Sequence, residues 1–249
     1  MGRILALVYG VVCYLIFFFT FLYAIAFVGN LFSPSQLVPK SIDVGNQAGT
    51  LTRAILANVI LLSIFAIQHS VMARREFKRV WTKIVPTAIE RSTYVLLSSL
   101  ALILLFWQWR VMPDVVWEVQ NTFGMYALWT LSFIGWGTVL LSTYLINHFD
   151  LFGLRQVYLY SKNVDYTPLA FKEVLLYKMV RHPLMLGFII AFWATPRMTA
   201  GHLLFAAVTT AYILVAIQIE ERDIVAEHGE NYEAYRKRVS MIVPIPKKG

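Results

Sequence analysis

The sequence predicts an all-α, polytopic integral membrane protein with five or six transmembrane helices and a C-terminal helical hairpin. Three observations predict it. Of the 249 residues, 58% are hydrophobic and 14% are charged, whereas a soluble domain carries about 25% charged residues. The mean hydropathy is +0.62. The apolar residues gather into runs as long as the roughly 20 residues a helix needs to cross a bilayer, and the cations gather between those runs. The net charge of +8 would suggest nucleic acid in a soluble protein. Here the basic residues flank apolar segments, so they report membrane orientation and no nucleic-acid partner is expected.

The first apolar run covers residues 4–31 and ends before Pro34, Pro39 and Gly45. It is too long for a signal-peptide core and has no small-residue cleavage site, so it is expected to be a retained helix. A second run covers 51–72, a third 92–109, closed by Arg110 and Pro113, and a fourth 123–146. A polar connection follows, and its second part, 168–180, is expected to form an interfacial helix. The last apolar region, 184–219, is interrupted at Thr195-Pro196-Arg197 and reads as one short and one full helix. The tail is charged and ends in Val243-Pro244-Ile245-Pro246. The whole chain is read as a single transmembrane domain, with residues 1–147 lining an acceptor site and 148–249 forming a cofactor-binding part.

Loop charges orient these segments. Arg74, Arg75, Lys78, Arg79, Lys83 and Arg91 crowd the second loop. Arg155, Lys162, Lys172, Lys178 and Arg181 lie in the fourth, and Arg236, Lys237, Arg238, Lys247 and Lys248 in the tail. Cation-rich segments face the cytoplasm, which places both termini there and suits a bacterial inner membrane. The lone cysteine, Cys13, lies in an apolar run, and no Cys/His cluster has zinc spacing, so neither a disulfide nor a metal is expected.

Ionisable residues at membrane depth are functional candidates. His69 follows Gln68 at the end of the second run, His148 and Asp150 follow the fourth, His182 opens the fifth, and Glu220 and Glu221 close the last. Pro183 suits the first turn of a helix, so His182 sits near its N-cap. The free N–H groups there attract an anion, and Arg181 adds a planar fork for a carboxylate. Gly187 leaves room on that helix for a flat ligand. Glu220 and Glu221 suit an ammonium group or ribose hydroxyls; the alternative is an ion pair of Arg181 with Glu220. A ligand with both a carboxylate and positive groups, such as S-adenosylmethionine, suits both ends. Tyr232 and Tyr235, three apart, would share one side of a helix and let the tail close over that ligand.

The run Arg181-His182-Pro183-Leu184-Met185-Leu186-Gly187 resembles the Arg-His-Pro-x-Tyr-x-Gly motif of the isoprenylcysteine carboxyl methyltransferase superfamily. Glu220-Glu221, the run His228-Gly229-Glu230-Asn231-Tyr232-Glu233-Ala234-Tyr235-Arg236 and the Val-Pro ending resemble its second signature. The resemblance implies that Arg181, His182, Pro183, Gly187, Glu220, Glu221, Tyr232, Tyr235 and Arg236 shape an S-adenosylmethionine pocket. Met185 stands where the family often has tyrosine. Gln68-His69-Ser70, Met72-Ala73-Arg74, Glu90-Arg91-Ser92-Thr93-Tyr94 and Asn147-His148-Phe149-Asp150-Leu151-Phe152-Gly153-Leu154-Arg155 resemble a bacterial branch that contains methanethiol S-methyltransferases and the NnrU membrane family. That branch implies a small thiol substrate, methanethiol, converted to dimethyl sulfide.

A thiol reacts best as its thiolate, so such an enzyme needs a proton acceptor beside the sulfur. His148 and Asp150 are the candidates, with His69 and Gln68 as a second pair. Positions two apart do not share a helix face, so His148 and Asp150 act together only where the helix has ended. Alternatively, they cap the helix or meet lipid headgroups. Three other readings stand beside this one: a methyltransferase for a prenylated or lipid acceptor, a membrane reductase using a nicotinamide cofactor, and a non-enzymatic haem or accessory protein.

Overall fold

The computed structural model describes residues 2–47, 49–169 and 172–245, without the side chains of Glu227 and His228. Pro246, Lys247, Lys248 and the imidazole of His228 therefore lie outside the described residues. In chain order the helices are α1 (Arg3–Val28), α2 (Leu51–Ala73), α3 (Arg75–Trp81), α4 (Thr87–Gln108), α5 (Thr122–Ile146), α6 (His148–Leu151), α7 (Leu154–Ser161), α8 (Pro183–Trp193), α9 (Ala200–His228) and α10 (Glu230–Arg238). Two short strands, β1 (Val115–Glu118) and β2 (Arg197–Thr199), pair antiparallel. Among the described residues, α1, α2, α4, α5 and α9 are the five helices long and apolar enough to cross a membrane. The chain is an integral membrane protein. With 11 residues, α8 is roughly 16 Å long, shorter than a hydrocarbon core of about 30 Å.

The chain forms two compact units: Met1–Asp114 with Asn147–Ala170, and Val115–Ile146 with Phe171–Gly249. The chain passes between the units at 114/115, 146/147 and 170/171; the second of these falls beside the expected boundary between 147 and 148. α5 joins the C-terminal elements, and α6 and α7 join the N-terminal ones.

In the first unit, α1 packs on α4 and α7, and α2 packs on α4. A Cβ on Gly10 of α1 would lie 2.5 Å from Val157 Cγ2, so only glycine lets α7 approach so closely. Asn58, buried inside α2, donates to the Arg110 carbonyl at 2.7 Å and accepts from the Arg110 amide at 2.9 Å. A buried amide so paired carries no desolvation penalty, and it ties the chain end of α4 to α2. Gly153 has φ +87°, and a Cβ there would lie 2.7 Å from the Ser92 backbone nitrogen.

In the second unit, α5 and α8 meet backbone to backbone. A Cβ on Gly135 would lie 2.6 Å from Ala191 N, and one on Gly187 would lie 2.7 Å from Gly135 O. Ser132 Oγ adds a hydrogen bond to the Ala191 carbonyl at 3.1 Å. Small residues at such a contact are how membrane helices gain close packing. After Gly229, with φ +53°, α10 packs on α9. The chain then runs alongside residues 180–182: Arg181 N donates to Ser240 O at 2.8 Å and His182 N to Met241 O at 3.1 Å.

Two differences from the sequence reading have local causes. Of the expected interfacial helix over 168–180, the described residues form only a 3-10 turn, Leu175–Lys178, and Ala170 and Phe171 lie outside them. Leu175 takes φ +41°, a left-handed conformation that a continuous right-handed helix excludes. Helix forms earlier in the connection instead, as α6 and α7, and α7 ends where Asn163 takes φ +58°, as asparagine commonly does past a helix end. The β1–β2 ribbon was not expected, because two runs of three or four residues have no periodicity to read.

Candidate functional site

The second unit gathers most of the motif residues around one carboxylate. Glu221 Oε1 accepts from Arg181 Nε at 2.6 Å, lies 3.1 Å from His182 Nε2, and accepts from the Tyr232 hydroxyl at 3.5 Å. Its Oε2 lies 3.2 Å from Arg236 Nε. Arg181 also donates through Nη1 to the carbonyls of Val239, at 2.5 Å, and Arg236, at 3.3 Å. The Arg181 and Glu221 side chains are only 6% and 4% exposed, so both charges are buried and multiply bonded, as buried ions must be. Glu220 points differently: it is 48% exposed, with Oε2 3.7 Å from His182 Nδ1. Arg236 is 44% exposed. Opposite charges therefore stand at the rim of a buried polar centre. The alternative pairing considered from sequence, Arg181 with Glu220, is replaced by Arg181 with Glu221.

The remaining motif residues have other tasks. Pro183 is the first residue of α8, after His182 at its N-cap. Met185 packs into an apolar cluster of Ile213, Ile217 and Ile242. The space beside Gly187 is filled by α5, so it houses a helix where a flat ligand was expected. Tyr235 lies beside Tyr232, with ring centroids 5.6 Å apart and the planes tilted by 54°, and donates to the Tyr177 carbonyl at 2.5 Å. Burial, reinforced by the Glu221 charge, pushes the Tyr232 phenol up to about 12. It stays a neutral donor. Burial and the neighbouring Glu220 also raise Tyr177.

The first unit holds the other candidates. His148 Nε2 lies 2.8 Å from the Tyr14 hydroxyl, and its ring packs edge-on against Phe152, 4.8 Å between centroids. The imidazole is buried, and burial lowers its pKa, so it is neutral at neutral pH and able to accept a proton. Asp150 has other partners: Arg155 Nη1 at 2.9 Å and the Tyr166 hydroxyl at 3.2 Å. Burial, followed by Asp150, raises Tyr166. α5 ends at Ile146, and a new turn, α6, forms over both residues, capped by the Asn147 side chain. His148 and Asp150 therefore face different partners. His69 lies within 2.9 Å of the Tyr94 hydroxyl and 3.2 Å of Ser98 Oγ, and Gln68 donates to Met72 Sδ at 3.2 Å. Phe152 stacks on Phe17, 3.9 Å between centroids, and both pack against a cluster of Met72, Tyr94 and Val95. One aromatic cluster thus connects His148 with His69. Beside it an open cleft of about 430 Å³ is lined by Leu7, Asn147, Phe149, Leu154, Arg155 and Tyr158; it is too open to enclose a small ligand.

The NnrU family model matches residues 58–242, which span both groups of residues. The chain belongs to the NnrU family. Among the relatives of this NnrU-family protein is the methanethiol S-methyltransferase of Mycobacterium tuberculosis, 56% identical over 99% of this chain and 98% of that protein. A methanethiol S-methyltransferase of a Pseudomonas species is 48% identical over 98% of this chain and 91% of its own length. Nurim of Rattus norvegicus is 29% identical over 72% and 73%. No solved structure matches the chain.

The sequence reading of this NnrU-family protein missed Tyr14, Tyr94, Ser98, Arg155, Tyr166 and Tyr177. All are partners of candidate residues, yet they are scattered over α1, α4, α7 and the connection. Tyr94 and Arg155 lay in motifs, and no spacing rule links the others.

Proposed function

We propose that this protein is a membrane-embedded methyltransferase that uses S-adenosylmethionine to methylate a small thiol, methanethiol, giving dimethyl sulfide. Near-full-length similarity to proteins named methanethiol S-methyltransferase carries this reading, at 56% identity over 99% of the chain in one case. When bound, the donor supplies an electrophilic methyl group on a sulfonium sulfur. The residues present fit its head group. Exposed Glu220 suits an ammonium, Arg236 at the same rim suits a carboxylate, and the buried Arg181–Glu221 pair with His182 and Tyr232 holds that rim in place. This divides the motif into residues that face the ligand and residues that support them. On the acceptor side, neutral His148 takes the thiol proton, so that the sulfur attacks as a thiolate. Tyr14 orients the imidazole, and the aromatic cluster keeps water from the sulfur. Both termini lie in the cytoplasm of a bacterium whose inner membrane holds the protein, so the thiol arrives through the lipid and the donor from the water phase.

Purified protein in detergent, given methyl-labelled S-adenosylmethionine and a panel of thiols, should release labelled dimethyl sulfide from methanethiol. Labelling of a prenylated cysteine in its place, or of no thiol at all, would overturn the reading.

A further inference from the structure

Five buried side-chain polar atoms of the first unit have no hydrogen-bond partner among the described residues: Ser33 Oγ, Gln68 Oε1, Trp81 Nε1, Glu90 Oε1 and Gln156 Oε1. Gln68 Oε1 and Trp81 Nε1 stand out by their setting. Both belong to the surroundings of Met72. Gln68 donates through its other amide atom to Met72 Sδ at 3.2 Å. Trp81, in α3, packs on the cluster that Met72 forms with Tyr94 and Val95. A buried donor or acceptor left unpaired is costly, and each such atom in a native protein asks for an explanation. Their chemistry is complementary without being self-satisfying: an amide oxygen only accepts, and an indole N–H only donates.

We infer that Gln68 and Trp81 are the sulfur-binding contacts for the thiol substrate. The inference rests on the function proposed above and adds to it a residue, Trp81, that no motif singled out. A thiol is a weak donor and a weak acceptor at one atom. Its S–H can point at Gln68 Oε1 while its sulfur accepts from Trp81 Nε1. When the thiol gives its proton to the base of the proposed function, His148, the same indole N–H faces a sulfur of growing negative charge and binds it more strongly. The walls agree with this ligand. Met72, Phe77 and Phe17 offer soft, apolar surface, which favours contact with a polarizable sulfur and gives a water few of the polar partners it needs. The Tyr94 ring belongs to the same cluster, and its hydroxyl reaches His69, so a second imidazole stands behind the sulfur site.

The test separates binding from turnover. The protein has seven tryptophans, and the indole N–H resonance of Trp81 in ¹⁵N-labelled protein is identified by its loss in Trp81→Phe. Titration with methanethiol should move that resonance. Trp81→Phe and Gln68→Leu should each raise KM for methanethiol about fivefold, the effect of one lost hydrogen bond, while calorimetric affinity for S-adenosylmethionine stays unchanged. An unmoved indole resonance, or an unchanged KM in both variants, would mean that the two atoms hold water and would overturn the inference. If the wild type makes no dimethyl sulfide, the proposed function falls; a Trp81 resonance that still moves with methanethiol would sustain the thiol site by itself.

Discussion

Glu220 and Glu221 are neighbours in sequence with opposite surroundings, and their variants should behave oppositely. Glu221→Ala strands Arg181 as a buried, uncompensated charge, at a cost of about 3–5 kcal/mol, so the thermal unfolding temperature in detergent should drop steeply. Glu220→Ala removes a half-exposed carboxylate. Its effect on stability should stay within about 0.5 kcal/mol, while calorimetric titration should show weakened binding of S-adenosylmethionine. Equal stability losses in the two variants would contradict the division into rim and support. His148 gives a pH test. Burial lowers its pKa, so the folded protein keeps it neutral below the unfolded value of about 6.5. The stability linked to this group is complete above that value and declines as pH falls through it, because the unfolded chain binds the proton first. In catalysis, His148→Ala should lower turnover far more than donor affinity, and the loss should shrink as pH rises and the thiol ionises unaided. Asp150→Ala should behave differently. Its carboxylate ties Arg155 and Tyr166, so its removal loosens the α6–α7 turn and the rate loss should be constant across pH.

At the scale of elements, two packing arrangements carry the second unit. The first is the α5–α8 contact. Gly135→Ala puts a methyl group 2.6 Å from a backbone nitrogen of α8, where nothing can yield, and should cost about 1–3 kcal/mol. Gly137→Ala, two residues on, meets nothing within 4 Å and should stabilise the helix by up to about 1 kcal/mol. Unfolding temperatures of opposite sign would establish this contact as the one that positions the start of α8. The second arrangement is the tail. Residues 236–241 supply the Arg236 and Val239 carbonyls to Arg181 and the Ser240 and Met241 carbonyls to the amides of Arg181 and His182. Truncation after Glu221 should therefore abolish S-adenosylmethionine binding in calorimetry while circular dichroism still reports the membrane helices. Retained binding would show that the tail is not part of the donor site.

For the whole molecule, five long helices would place the termini on opposite sides of a membrane if α8 contributed nothing. The β1–β2 ribbon changes that parity. β1 precedes α5 and β2 follows α8, and the two strands pair, so the α8–α9 turn lies at the same end of the second unit as the start of α5. α8 with its approach thus acts as a return, and α9 leads back. Together with the cation-rich loops, this predicts that Arg79→Cys and Lys237→Cys, each in a Cys13→Ala background, resist an impermeant thiol reagent in intact cells and react in inverted vesicles. Gln120→Cys should do the reverse. Labelling of Lys237→Cys from outside the cell would overturn the assignment of both termini to the cytoplasm.

The positions of the long membrane helices were legible in the sequence, because a bilayer demands a minimum apolar length and the runs meet it without help from neighbours; their number stayed at five or six, because the short run before Thr195 falls below that length. The motif residues around His182 and Glu221 were legible as a group for a similar reason: they stand at the start of α8 and where α9 turns from apolar to charged, on two helices joined as a hairpin. Which glutamate meets Arg181 was not. Successive residues on a helix point about 100° apart, so the choice between Glu220 and Glu221 is the rotation of α9 against α8, a quantity set by packing. The same holds for Gly187, whose open face α5 fills, and for His148 and Asp150, which one turn of α6 sends to different partners. Apolar length is a property of a segment alone and can be read along the chain; the direction of a side chain is a property of the elements packed against it, and only the tertiary structure decided it.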